Sequence, residues 1–424
     1  MQDKMLNPIT ADQRHGVGSK ALSNIRVLDL SRILAGPWCT QNLADLGAEV
    51  IKIERPGKGD DTRVWGPPWL PGQDDTHAPD SSYYSAANRG KKSVTVDITT
   101  PEGQDIIRSM ARSCDVFIEN FKVGNLKKYG LDYESIRKEN PAIIYCSITG
   151  FGQTGPYAHR PGYDFVFQGM GGMMSITGER DDLPGGGPQK VGIALADVIT
   201  GMYSTIAILA AVNHRHQSGK GQYIDMSLLD CIVALGSNQV TSYFASGNVP
   251  ARMGNAHMSL VPYGVYPTRN GHIVIAIGND EQWQRYCSVI GREDLGAEGD
   301  FLKVTGRIIN RERLDEALRE TMRTRDSEIW LELLEKQGVP CGPINDYEQV
   351  FQNPQVIHRK LHIDQQREDG ARIGAAASPL RLTETPPSYD LPPPMVGQHT
   401  EEVLQAMLGI DADQLVTLRE RNIV

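Results

Sequence analysis

From residue 25 onward short apolar runs alternate with amphipathic ones, and this alternation restricts the possible folds more than any other feature of the chain. Residues 25–30 read as a strand, a helix follows near 38–46, and residues 49–54 read as a second strand. The pattern repeats with a strand over 92–97, then Thr100 as N-cap with Pro101 in the first helical position, a helix to about 113, and a strand over 115–119. Pro141 precedes a further strand over 143–148. Parallel strands need crossover connections, so the expected architecture is α/β, a mostly parallel sheet flanked by helices with ligands at the carboxyl ends of its strands. The texture changes after residue 247. Two strand-like runs, 263–268 and 272–277, flank Arg269-Asn270-Gly271, a strong hairpin signal, and helices are expected over 281–290, 310–324 and 327–337, the last capped by Ser327. This reads as a smaller α+β domain. Strand and helix texture resumes after 339, and the Pro-rich stretch 386–394 reads as an extended strap before a helix over 401–408.

Charge narrows the range of partners. Forty-three Lys and Arg against 52 Asp and Glu give a net charge of -9, which argues against nucleic acid or an anionic membrane and requires a local basic cluster for any anionic ligand. The six cysteines show no CxxC or zinc-ligand spacing, pointing to a reducing compartment. Residues 1–20 lack an apolar run and read as a loose tail, not a signal. The longest nearly apolar stretch, 198–212, is shorter than the roughly 20 residues of a membrane span. A soluble cytoplasmic protein is expected.

Several chemistries lack their signature. Where a dinucleotide-binding turn needs G-x-G-x-x-G, the chain has Ser31-Arg32-Ile33-Leu34-Ala35-Gly36. No P-loop, HExxH or GxSxG occurs, and of the ten histidines only His214 and His216 come close together, so no metal site is expected. One carboxylate stands out. Asp197 is the only charged side chain in VGIALADVITGMY. It reads either as the N-cap of a helix beginning at Val198 or as an ionised nucleophile held by the same helix amides in a poorly hydrated pocket, and the two readings are compatible. Tyr163-Asp164 precedes a loop with Gly169, Gly171 and Gly172, which reads as a turn before a core segment or as a site where backbone N–H donors meet substrate. Gly185, Gly186 and Gly187 read as a surface loop. Arg55, Arg63, Lys91, Lys92 and Lys128 are candidates for an anion cluster, against the ordinary reading of solvated surface charge. On the residues alone the chain is an α/β enzyme with an anionic ligand.

LSNIRVLDLSRILAGPWCTQNLADLGAEVIKIERPGKGDDTR, ANRGKKSVTVDITTPEG, DVFIENF, GYD, GIALADVITGMY, VPCGPIN and GQHTEEVL resemble the class III coenzyme A-transferases, the CaiB/BaiF family, over residues 22–424. ERPGKGDDTRVWGPPW, IIYCSITGFGQTGP and GNAHMSLVPYGVY are most similar to its succinyl-CoA:glutarate (hydroxymethylglutarate) type, with formyl-CoA transferase a relative. The resemblance implies a doubly wound, Rossmann-like large domain built from residues 21–225 and 345–424, a smaller domain inserted over 230–340, and an interlocked homodimer. It implies Asp197 as nucleophile, Leu34 and Ala35 along the coenzyme, Arg55 and Lys128 as cationic contacts, and Val96, Thr99, Asn120 and Phe121 at the nucleotide end. Thr99 stands where formyl-CoA transferase has a basic residue. Tyr163, Asp164, Gly171 and Gly172 fall in a substrate and oxyanion loop. Gly254, Asn255, Ala256 and His257 form a cover where formyl-CoA transferase has a run of glycines, and Arg252 or His257 is a candidate grip for a distal carboxylate. The implied activity moves coenzyme A from an acyl-CoA, succinyl-CoA foremost, to a free acid such as glutarate, through an aspartyl anhydride and an aspartyl-CoA thioester, with no permanently bound cofactor. A racemase of the same fold is the alternative enzyme. The racemases carry His before the Asp of the GYD position, whereas Tyr163, with an ordinary phenolic pKa of about 10, suits α-proton removal poorly. A non-enzymatic CoA-binding scaffold is the third reading.

Overall fold

The computed structural model describes residues 20–72 and 79–424, so the expected tail over 1–20 lies outside the described residues except for Lys20. The chain divides into two units. The first comprises residues up to Gly172, Gly192–Ser237 and His358–Val424, and the second Met173–Val191 and Asn238–Ile357.

Six parallel strands build the first unit: β1 (Arg26–Asp29), β2 (Glu49–Glu54), β3 (Lys91–Thr95), β4 (Val116–Glu119), β5 (Ile144–Thr149) and β6 (Tyr223–Ser227), in the order β3-β2-β1-β4-β5-β6. Central β1 pairs with both β2 and β4, Leu28 lying opposite Ile51 on one side and Phe117 on the other. The strand order reverses there, which opens a crevice at the carboxyl ends. Its helices include α1 (Ala35–Asp45), α2 (Pro101–Ala111), α3 (Tyr133–Glu139), α4 (Asp164–Met170), α5 (Leu195–Ser218) and α6 (Leu228–Leu235). As expected, Thr100 caps α2, its hydroxyl accepting from the Gly103 N–H at 3.1 Å, with Pro101 in the first turn. Val403, Leu404 and Leu415 share one core with Leu28, Ile51, Phe117 and Met110, so the C-terminal segment belongs to this unit. Each such fully buried side chain contributes about 1.5–3 kcal/mol.

Helix α5 departs from expectation. It runs 24 residues, beyond the apolar stretch 198–212, and is the one helix among the described residues long and apolar enough to cross a membrane. Its small residues dock it on α1: a Cβ at Gly201 would fall 2.7 Å from the Ala35 carbonyl and 3.0 Å from Trp38. With Ala196, Thr200, Ser204, Thr205 and Ala211 also buried, this face packs as a core helix.

Two expected anion-binding cations are structural instead. Arg63 is buried and donates to Glu54 at 2.7 and 2.9 Å, to Asp80 at 3.0 and 3.1 Å, to the Tyr84 hydroxyl at 2.6 Å and to the Pro394 carbonyl at 3.1 Å. Lys91 is fully buried, 3.3 Å from Asp29, and burial pulls its pKa down to about 8. Lys92 pairs with Glu402 at 2.7 Å. The Pro-rich strap continues along the outer edge of β3. Leu391 accepts from Gly90, His399 donates to Ser93 and accepts from it, Thr400 accepts from Thr95, and Ile423 accepts from Asp97.

In the second unit β7 (Tyr263–Pro267) and β8 (His272–Ala276) form the expected antiparallel hairpin, and β9 (Cys341–Pro343) joins β8. Helices Asp280–Ile290, Arg311–Met322 and Ser327–Lys336 enclose Trp283, Tyr286, Leu314, Leu318 and Trp330. Ser327 is not the cap. Asp326 holds that position with its carboxylate taken by Arg269 at 2.7 Å, while the turn residue Asn270 accepts from the Ser327 N–H at 2.8 Å. Residues 173–191, expected in the large domain, belong here, because Gly254 donates to the Gly178 carbonyl at 3.1 Å and Arg252 to that of Ser175 at 3.2 Å. The return to the first unit falls at His358, later than the expected 345.

Candidate active site

The loop that follows β1 is held by side chains from several strands. Asp29 accepts from the Ser31 N–H at 2.9 Å, and Asn120 at the end of β4 bridges Arg32, accepting from its N–H at 2.9 Å and donating to its carbonyl at 2.6 Å. Ile33 has φ 71°, a left-handed conformation unusual for a β-branched residue. Arg32, Ile33 and Ala35 line a cleft of about 720 Å3, with Asn120, Phe121, Tyr163 and Asp197 on its other walls. Leu34, expected along the coenzyme, is instead buried at 7% exposure and does not border the cleft.

Asp197 lies in the first turn of α5, not at its cap. The cap position is Ala194, and the acceptor that a free helix amide needs comes from 32 residues upstream: Asp164 accepts from the Ala196 N–H at 2.6 Å and from Gln168 at 2.7 Å. This releases Asp197 from capping, and among the described residues no hydrogen bond or ion pair to its carboxylate is present. Burial first, and the nearby Asp164 charge second, push its pKa up to about 7. The helix N-terminus favours an anion by only about 0.3–1 kcal/mol, and desolvation outweighs it. Tyr83, pushed up to about 12 by burial and by Asp197 and Asp164, stands beside both carboxylates, and its ring meets Trp65 on the cleft wall with centroids 5.3 Å apart.

A second cavity of about 280 Å3 adjoins the first through their shared residues Arg32 and Phe121. It gathers Arg55, Val96, Thr99, Phe121 and Lys128 and adds Asn125 and Tyr129, whereas Asn120, expected at the nucleotide end with them, lines the larger cleft instead. Arg32 and Arg55 both pair with Asp61, at 2.7 and 2.6 Å, and Lys128 lies 4.6 Å above the Tyr129 ring. The two cavities thus lead from a basic, partly apolar recess to an unpaired carboxylate.

Other expectations resolve differently. Gly171 ends α4, where a Cβ would fall 2.2 Å from the Ile232 side chain, so it serves packing; neither it nor Gly172, at φ 85°, borders the cleft. Gly254, Asn255 and His257 belong to the second unit. His257 accepts there from the Ser259 N–H at 3.0 Å, its ring against Tyr263, and Arg252 is paired with Asp181. Arg32, Tyr83, His159 and Arg160 were not singled out from the sequence, and neither was Glu119, a buried carboxyl pushed up to about 7 that accepts from the Phe121 N–H at 2.7 Å. Only position could have flagged Arg32 and Glu119, since both sit at carboxyl ends of central strands.

A nucleophilic Asp197 must be ionised, so kcat/KM is expected to rise with pH through about 7 and level off above it. Asp164→Asn keeps an acceptor for Ala196 but removes the like charge, and the inflection should move to lower pH. An unmoved inflection in the pH–rate profile would show that Asp164 does not tune this group.

The CoA-transferase family III model matches residues 22–400. The chain is 46% identical over 391 residues to the succinate–glutarate CoA-transferase of Agrobacterium fabrum, covering 92% of this chain and 96% of that one. It is 41% identical over 392 residues to the human succinyl-CoA:glutarate CoA-transferase, covering 92% and 87%. The crystal structure of a CaiB/BaiF family protein from Brucella suis superposes with a TM-score of 0.81 at 44% identity, covering 90% of this chain and 98% of that one. A cleft ending on a free, desolvated carboxylate, on an α/β fold of this kind, thus coincides with a match along nearly the whole chain: it belongs to CoA-transferase family III.

Proposed function

We propose that this enzyme moves coenzyme A from succinyl-CoA to a free dicarboxylic acid such as glutarate, with Asp197 as the nucleophile. The observation that carries the reading is the Asp197 carboxylate, lining a cleft of about 720 Å3 with no hydrogen bond spent on capping its own helix. Its oxygen attacks the thioester carbonyl, the C–S bond breaks, and CoA thiolate leaves a mixed anhydride. The thiolate then attacks the aspartyl carbonyl of that anhydride, succinate departs, and an aspartyl-CoA thioester remains. The acceptor carboxylate repeats the two steps in reverse order and carries CoA away, so no thioester bond is lost to water.

Arg55 and Lys128 supply cationic contacts for the nucleotide end, with Val96, Thr99 and Phe121 as its walls, while Ala35, Asn120 and Tyr163 flank the pantetheine path. In the first turn of α5 the Leu195, Ala196 and Val198 N–H groups already donate to Ile193, Asp164 and Ala194, so the Asp197 N–H is the donor there suited to the oxyanion of each step. The outward face of α5, with Met202, Tyr203 and Ile206 exposed, suits burial against a second copy, in keeping with an interlocked, Rossmann-like homodimer working in the cytoplasm without a resident cofactor.

The test is to incubate the purified enzyme with paired CoA donors and free acids and identify each new thioester by mass, with hydroxylamine added to trap an Asp197 adduct. Glutaryl-CoA formed from succinyl-CoA, with a hydroxamate at Asp197, is the expected result. No exchange with any pair would overturn the proposal, and solvent deuterium at the α-carbon of a branched acyl-CoA would favour the racemase.

A further inference from the structure

We infer that the fully buried Lys52–Asp60 ion pair is a positioning device for the coenzyme cleft, holding Ile33 in its left-handed conformation so that the loop after β1 presents Arg32, Ile33 and Ala35 to the ligand. The inference rests on the reading of that cleft as the site of CoA transfer. Lys52, on β2, donates to the Ser31 carbonyl at 2.9 Å and to Asp60 at 2.8 Å, and both side chains are 0% exposed. The other Asp60 oxygen accepts from the Ile33 N–H at 3.3 Å and from the N–H and hydroxyl of Thr62 at 2.9 and 2.8 Å.

Four side chains therefore hold the backbone of three residues. Asp29 takes the Ser31 N–H, Lys52 the Ser31 carbonyl, Asn120 both polar groups of Arg32, and Asp60 the Ile33 N–H. A β-branched residue in the left-handed region persists only where its surroundings over-determine it. A loop serving only as a connection between β1 and α1 would need neither a strained Ile nor two charges taken fully out of water, each of which carries a large desolvation penalty. Lys52 nevertheless stays cationic. Burial works to lower its pKa, and Asp60, Asp29 and Glu54 together outweigh it and raise the value. Lys52 and Asp60 also border the floor of the smaller cavity beside Arg32 and Arg55, so the device sits where a change in loop conformation is felt along both cavities.

The experiment uses the full-length enzyme. Lys52→Met should raise the KM for the CoA thioester about tenfold or more while kcat falls less than about threefold, because ligand placement is lost and the nucleophile is not. Adding Ile33→Gly to Lys52→Met should recover much of that KM, since glycine reaches the left-handed region unaided. Ile33→Ala in the same background, which loses the same side chain but keeps the conformational penalty, should not. Should Lys52→Met fail to fold, Asp60→Asn takes its place in the series.

A readout free of activity comes from unfolding equilibria. With the ion pair intact, Ile33→Gly should exceed Ile33→Ala in folding equilibrium constant by about tenfold, and that gap should shrink when Lys52 is replaced. An unchanged KM in Lys52→Met, equal rescue by Gly and Ala, or no coupling between positions 33 and 52 would each overturn the inference. Loss of transfer and CoA binding in the unmutated enzyme would instead count against the proposed function, leaving the unfolding coupling to decide the positioning claim.

Discussion

Asp197→Asn is expected to abolish CoA transfer and to make the protein more stable above neutral pH. The first effect follows from removing the attacking oxygen, and should exceed about a thousandfold in kcat. The second follows from the pKa. The folded value is about 7, against about 3.9 for an unfolded Asp, so the folded state binds the proton more tightly than the unfolded one. The stability associated with the protonated carboxyl is fully present below about pH 4, falls as the pH rises between the two values, and is gone above the folded pKa. At pH 8 the ionised carboxylate is thus a liability on the order of 2–4 kcal/mol, which the isosteric neutral amide avoids. At pH 4 the two proteins should melt alike. Thermal unfolding at pH 4 and pH 8, beside steady-state transfer assays, checks both halves. More than trace activity, or a lower melting temperature than the unmutated enzyme at pH 8, would remove the basis for the nucleophile.

The largest effect on stability is expected at Arg63. Its guanidinium meets Glu54 as a two-pronged fork, reaches Asp80, and ties the Pro394 carbonyl to the sheet. Burial alone would raise the pKa of Glu54, yet Arg63 foremost, with the Lys52 charge and the Ser93 hydroxyl, outweighs this and holds it below the usual carboxylate range. Arg63→Met strips buried Glu54 of its main counter-charge, while Asp80 keeps its pair with Arg367 at 2.7 Å, and breaking a buried pair in this way costs about 3–5 kcal/mol. Arg63→Lys restores charge but not the fork and should fall between the two. Guanidinium chloride midpoints give the answer, and a methionine variant within about 1 kcal/mol of the parent would show that the cluster is dispensable.

What could be read from the chain before its coordinates divides by the range of the interaction involved. Strands β1 to β5, the Thr100-Pro101 helix start and the hairpin around Asn270-Gly271 rest on residues within a few positions of one another, and each appears where local rules place it. Strand β6 was missed because it lies at the sheet edge, with residues such as Tyr223 and Asp225 that do not read as a buried run. Asp197 was found by its isolation among apolar neighbours, but its capping role was misassigned, since the true acceptor, Asp164, is 32 residues away. Arg63 and Lys91 looked like ligands for an anion because nothing local announces Glu54, Asp80 or Asp29 as partners. Tyr83 and Glu119 owe their altered acidity to surroundings assembled by the fold.

The contacts along β3 bear on how the chain comes together during synthesis. The outward-facing groups of Gly90, Ser93, Thr95 and Asp97 find partners only in residues 391–423, some three hundred positions later. A nascent chain that has emerged as far as β6 therefore carries all six strands with the β3 border still raw, open to pairing with any neighbouring strand, until its last segment arrives to seal it.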